Sequence, residues 1–275
     1  MERNQEIAVI QMRKSVEKLG SSTEKHGDLT LVRFLVARSM DSDKAAKMFV
    51  QWQKWRAGFV PLGFIPDSEI PDELEARKIY LQDLSRVGYP VLIIKANKHF
   101  PSSDHLQFKS ISLFSFLFSF FISCTPFNLN RPIGRPSRGK FVVHLLDKTI
   151  ASSFKGREIG NEKLVGILDL QQIAFKNIDA RGLITGFQFL QAYYPERLAK
   201  LFILNMPWFF VSVWRMVSRF LEKATLEKVV IVTNDDERKD LIKEIGEETL
   251  PEEYGGRAKL VALQDVKLSH FLWDE

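Results

Sequence analysis

Cysteine is nearly absent. Cys124 is the only one in 275 residues, which excludes an internal disulfide framework. The same scarcity removes thiolate-based zinc sites, and the five histidines, His26, His99, His105, His144 and His270, fall at no metal-ligand spacing. No metal site is predicted. There is no Asn-x-Ser/Thr acceptor, and Met1 to Lys14 is polar without a signal-peptide core. Together these absences predict a cytoplasmic protein. No Gly-x-Ser-x-Gly elbow is present, so a serine hydrolase lacks its usual signature. No Gly-x-Gly-x-x-Gly follows a strand. The spacing Gly134 to Lys140 imitates a phosphate loop, but Phe141 stands where a magnesium-binding Ser or Thr belongs and Pro136 removes an amide from the cradle. A nucleotide-binding enzyme therefore has no support.

Charge of one sign is also missing. The net charge of +5 is unevenly placed: residues 110–139 hold Arg131, Arg135 and Arg138 and no acid. The rest is nearly balanced, which argues against a general basic face and against nucleic acid as a partner. Hydrophobic residues at 45% and charged residues at 27% exclude a disordered tail, a coiled coil and a collagen-like chain. The length suits one large domain or two small ones.

The periodicity predicts a helical start. Leu31, Phe34 and Leu35 share one face of a helix opened by Asp28. Asp41-Ser42-Asp43 caps a second helix, Lys44 to Arg56, whose stripe is Ala45, Met48, Phe49, Trp52 and Trp55. Strands are predicted at Tyr89–Ile94, Leu164–Leu170, Ala199–Asn205 and Lys228–Thr233. Helices are predicted over Phe141–Ile150, Asp179–Tyr194, Trp208–Lys223 and Glu237–Ile245. Strands alternating with helices imply an α/β domain with a mostly parallel sheet.

Residues 110–139 stand apart. Six of the 22 phenylalanines lie there, with serine recurring and no Asp, Glu or Lys. The densest apolar run, Ile111 to Ile122, is well short of the ~20 residues a membrane span needs. Low order is expected, because no helical period runs through it and Pro126, Pro132 and Pro136 interrupt its second half.

Two further stretches carry more information. From Trp208 to Leu221 nearly the whole helix circumference is apolar, with Arg215 and Arg219 the only interior charges. Such a helix is either core or touches something greasy. Tyr193-Tyr-Pro-Glu-Arg197 ends a helix abruptly, and taken alone its acid and base read as a surface ion pair of little worth.

Taken together, three stretches resemble the CRAL-TRIO lipid-binding family, in its single-module phosphatidylinositol-transfer branch. They are Leu31-Val-Arg-Phe-Leu-Val-Ala-Arg38 with Asp41, Ala45, Met48 and Lys54-Trp-Arg56; Tyr193-Tyr-Pro-Glu-Arg197 followed by Phe202-Ile-Leu-Asn-Met-Pro207 and the apolar helix; and Leu250-Pro-Glu-Glu-Tyr-Gly-Gly256. The resemblance implies a small N-terminal helical module (1–65) packed on a lipid-binding domain (75–258), interrupted by the insertion 110–139 and followed by a tail (259–275). It implies a mixed, mostly parallel sheet with helices forming a lipid pocket. It further implies that Glu196, Lys228, Thr225, Arg38 and Pro90 bind the headgroup. A gate helix would carry Trp208, Phe209, Phe210, Val213, Trp214, Val217 and Phe220, divided between pocket and membrane, with Phe209 and Phe210 among the outward aromatics. The chemistry suits an inositol phosphate: a carboxylate accepts from ring hydroxyls, while Lys, Arg and Thr donate to phosphate.

The sequence departs from the family's pattern where Ser39 replaces a frequent basic residue and Ser85 a frequent acid. The hydroxyl pair that the family uses for phosphatidylcholine falls near Leu164 and Gly166, which carry no hydroxyl. The resemblance also predicts that Gln107-Phe-Lys109 would continue into Phe141, so 110–139 reads as a retained intron or gene-model artefact. Transcripts that never lack the segment would refute that.

The expectation is a monomeric, non-enzymatic carrier without a cofactor, peripheral on membranes. Its partners would be phosphatidylinositol, bound as the ligand, and a transient membrane surface. A carrier of another apolar ligand, such as a sterol or tocopherol, is the alternative.

Overall fold

A computed structural model describes residues 3–98, 136–152, 162–178 and 180–266. Three helices open the chain: α1 (Arg3–Lys18), α2 (Asp28–Val36) and α3 (Ser42–Phe59). The Asp41 side chain accepts from the Lys44 amide and caps α3. Leu31, Phe34 and Leu35 of α2 meet Ala45, Ala46 and Phe49 of α3, all fully buried. The first helix was not expected from the sequence. It buries Ala8, Val9, Met12 and Val16 against the other two.

After the short α4 (Pro71–Glu75) come β1 (Ile79–Leu84) and β2 (Pro90–Lys95), an antiparallel hairpin. Then follow α5 (Pro136–Ala151), β3 (Leu164–Asp169), α6 (Ala180–Tyr193), β4 (Leu198–Leu204), α7 (Phe210–Ser218), α8 (Lys223–Leu226), β5 (Val229–Val232) and α9 (Asp235–Ile245). The sheet order is β1-β2-β3-β4-β5, with β2 to β5 parallel. Each crossover steps in the same direction. Right-handed crossovers then place α5, α6 and α7 on one face.

Side chains divide by face as period two requires. Leu92, Leu164, Leu201 and Ile203 lie under α5, α6 and α7. Val91, Ile93, Val165, Ile167, Phe202 and Leu204 meet Leu241 and Ile245 of α9, with Leu250 and Tyr254. The motif 250–256 needs its glycines: Gly255 has φ +97°, and a Cβ on Gly256 would lie 1.9 Å from the Leu250 carbonyl. The start of the tail covers the β1 edge, where the Leu81 amide donates to Val261 and Tyr80 bridges Ala262.

Two boundaries differ from expectation. The helix expected over Trp208–Lys223 is α7 alone, Phe210–Ser218, with α8 a separate turn. Residues 136–139, placed in the insertion by the sequence, form the first turn of α5. Pro136 starts that helix rather than breaking it, since a first-turn residue has no intrahelical amide partner to lose. The remaining insertion, 110–135, lies outside the described residues, as do the expectations of low order and of a retained intron. No helix among the described residues is long and apolar enough to cross a membrane.

Candidate headgroup site

The N-terminal ends of parallel strands β2 to β5 share one edge of the sheet. Glu196 sits in the turn between α6 and β4, and Lys228 directly precedes β5. The Lys228 ammonium donates to Glu196 Oε2 at 2.8 Å, with side-chain exposures of 24% and 20%. The Lys228 backbone is held at both its carbonyl and its amide. The Leu201 amide donates to the Lys228 carbonyl at 2.8 Å, and the Lys228 amide to the Thr225 carbonyl at 3.1 Å. Thr225 is therefore one turn from Lys228 and half-buried.

Arg38 reaches the same corner from the N-terminal module. Its guanidinium lies 3.9 Å from the carboxylate of Glu222, the residue before α8, and donates to the Ala37 carbonyl at 2.7 Å. Pro90 opens β2 on the same sheet edge and is buried, but three strand spacings separate β2 from β5, roughly 14 Å. The structure thus pairs Glu196 with Lys228 and sets Thr225 one turn away, whereas Arg38 meets Glu222 and Pro90 lies across the sheet. Ser39 follows Arg38 at φ +52°. Ser85, where the resemblance expects an acid, closes the β1–β2 hairpin by accepting from the Tyr89 amide at 3.2 Å. Gly166 lies level with Leu92 and Leu201 on the helix-covered face, where a Cβ would stand 2.9 Å from Leu201 Cδ1.

Behind the pair lies a buried ionic layer that sequence reasoning missed. Arg197 donates to the carbonyl of Glu162 at 2.6 Å and to its carboxylate, and Glu162 is 1% exposed. This is a buried pair, not the surface pair the sequence suggested. Arg33 of α2 donates from Nη1 to the Pro195 carbonyl at 3.3 Å. Burial pushes its guanidinium pKa well down, Arg197 pushes the same way, and Glu162 opposes both. Arg56 of α3 donates to Asp147 of α5 at 3.1 Å, and the Tyr194 hydroxyl donates to the same oxygen at 2.9 Å. Burial first, then Asp147, raises the Tyr194 pKa well above its ordinary value. Trp55 stacks on Tyr193 at 4.0 Å, completing the seam between module and domain. These partners join residues far apart in the chain, so no local pattern marks them.

The gate residues separate by exposure. Trp208 is 84% exposed and precedes α7, where it meets Phe209 edge-on at 5.9 Å. Phe209 is half-buried and packs on Phe175, which is 72% exposed. Phe210 is 4% and Val217 1% exposed, so Phe210 is a core residue and not the outward aromatic expected from the sequence. Val213 and Trp214 pack partly buried against Leu201 and Ile203, and Phe220 is half-buried beyond the helix. At the start of this segment Asn205, at φ +54°, donates to Asp169, which also accepts from the Tyr254 hydroxyl, both at 2.9 Å.

Comparison with known proteins gives a consistent picture. The family model described as CRAL/TRIO domain matches residues 74–256. The "Sec14 cytosolic factor" of Schizosaccharomyces pombe is 25% identical over 260 residues, covering 93% of this chain and 83% of that protein. The "Phosphatidylinositol/phosphatidylcholine transfer protein SFH4" of Arabidopsis thaliana is 27% identical over 236 residues, covering 82% of this chain and 34% of that protein. Among solved structures, the crystal structure of Sfh5 superposes with a TM-score of 0.59 at 15% identity, covering 98% of this chain and 92% of that one. That likeness concerns the fold.

Proposed function

The chain belongs to the CRAL/TRIO domain family, and from that premise we propose that it binds phosphatidylinositol and exchanges it between membranes or presents it to lipid-modifying enzymes. The observation that carries the reading is the Lys228–Glu196 pair at 2.8 Å, set at the sheet edge beside the apolar face under α6 and α7. Such a pair offers an ammonium donor to a phosphate oxygen and a carboxylate acceptor to ring hydroxyls. Thr225 and Arg38 add donors from the same corner. Acyl chains lie against the apolar side chains, each buried methylene contributing about 0.8 kcal/mol. Much of this is offset by lost bilayer packing, so exchange is reversible.

Leu164 and Gly166 present no hydroxyl to a choline lipid, which favours an inositol headgroup. Membrane docking falls to Trp208, Phe175 and the exposed Val211. The segment Trp208–Phe220 acts as the gate, opening at the membrane and closing in water. The cycle needs no covalent step and no cofactor, and runs in a monomeric, cytoplasmic protein that visits membranes peripherally. A transfer assay with phosphatidylinositol vesicles tests this. Glu196→Gln should slow inositol-lipid transfer about tenfold. Wild-type protein that moves no phosphatidylinositol would overturn the proposal.

A further inference from the structure

Glu196 is a non-glycine residue at φ +56°, in the left-handed region. Such a conformation is disfavoured and persists only where its surroundings over-determine it. Here both flanking residues are pinned by buried arginine contacts. On one side the Pro195 carbonyl accepts from Arg33 Nη1 at 3.3 Å, across 162 residues of sequence. On the other side the Arg197 side chain is bound to Glu162, and the Arg197 carbonyl accepts from the Leu164 amide at 2.8 Å. The peptide before Glu196 is thus held by α2, and the residue after it by the start of β3.

Arg33 is an expensive way to fill space. It is 9% exposed, and its Nε has no hydrogen-bond partner among the described residues. It shares the field of one carboxylate, Glu162, with Arg197. An apolar residue would pack there at lower desolvation cost. What an apolar residue lacks is a donor for the Pro195 carbonyl.

We infer that Arg33 is a positioning residue for the headgroup acid: by holding the Pro195 carbonyl it fixes the turn that aims Glu196 at Lys228, and so makes the N-terminal helical module part of headgroup selection. The inference deepens the inositol-lipid reading and rests on it. It assigns Arg33 no contact with lipid.

The test loads purified full-length protein from vesicles of equal phosphatidylinositol, phosphatidylcholine and phosphatidylglycerol and measures the inositol-lipid share of captured phospholipid. A share within one sample does not depend on the fraction of protein that is folded. Arg33→Met should lower that share about tenfold, as Glu196→Gln does, while total captured lipid per folded protein is kept. Arg33→Lys retains one donor and a positive charge and should fall between wild type and Arg33→Met. If Arg33→Met does not fold, Arg33→Lys alone decides, with a lowered share supporting the inference. An unchanged share in the Arg33 variants beside a lowered share in Glu196→Gln overturns the positioning role and leaves the headgroup site standing. Loss of total lipid at an unchanged share makes Arg33 purely structural and also overturns it. An unchanged share in Glu196→Gln overturns the headgroup reading itself, and this inference with it.

Discussion

Lys228 and Glu196 meet across the ends of two neighbouring parallel strands, ammonium to carboxylate at 2.8 Å, from positions 32 residues apart. Neither is deeply buried. Lys228 is bonded through its own amide and carbonyl, and Glu196 through the Pro195 and Arg197 carbonyls on either side, so the pair is held in place before any lipid arrives. Pre-organisation of this kind lowers the cost of binding, because little side-chain freedom remains to be lost.

Function and stability should separate at this pair. A partly exposed ion pair contributes under about 1 kcal/mol to folding. Lys228→Ala should therefore leave the thermal midpoint nearly unchanged while phosphatidylinositol transfer falls about tenfold or more. Melting curves beside a vesicle transfer assay check this. Unaltered transfer would remove Lys228 from the site.

The two ends of the gate segment should respond in opposite ways to the same substitution. Trp208→Asp alters a side chain that is 84% exposed and should abolish co-sedimentation with vesicles at an almost unchanged melting temperature. Phe210→Asp buries a carboxylate at a position 4% exposed and should destabilise by about 3 kcal/mol or more. Full vesicle binding by Trp208→Asp would contradict a membrane-facing role for that end.

Much of the layout was legible because it is written in local patterns. The stripe Ala45, Met48, Phe49 on α3, the Asp41 cap and the apolar strands at 91–94, 164–168 and 201–204 follow from periods of 3.6 and 2. The first helix could have been found the same way, since Ala8, Val9, Met12 and Val16 recur at helical spacing. Polar Gln11, Arg13, Lys14 and Ser15 between them obscured it. Strand β1 was missed because it mixes Tyr80, Gln82 and Asp83 with its aliphatics. In the site, Glu196, Lys228, Thr225 and Arg38 came from motif resemblance, and the structure supplies the distances. The buried layer of Arg33, Glu162, Asp147 and Tyr194 was not legible, because each contact joins elements more than 30 residues apart and depends on how the module docks.

That layer makes its own stability prediction. Glu162→Gln leaves Arg197 and Arg33 buried without their carboxylate. The expected loss is about 3–5 kcal/mol, read from denaturant unfolding. A loss below 1 kcal/mol would show that the two arginines reach solvent or another anion.

His26 gives a pH dependence with a defined sign. It packs edge-on against Phe49 and Trp52 at 5.2 and 5.4 Å. Burial lowers its pKa below the ordinary 6.5, and Arg33, Lys25 and Arg13 lower it further. The unfolded chain therefore takes up a proton before the folded one does. The stability that this contributes is fully present above about pH 6.5 and is lost as pH falls toward the lowered folded value. His26→Gln should flatten the stability profile between about pH 7 and 5. An equal slope in wild type and variant would place the titration elsewhere.

Native mass spectrometry of the purified full-length chain, followed by lipid extraction, reads the bound ligand itself. The expected result is a single bound phospholipid of the phosphatidylinositol class, reduced in Glu196→Gln and Lys228→Ala. A bound sterol or tocopherol, or a choline lipid retained equally by both variants, would contradict it.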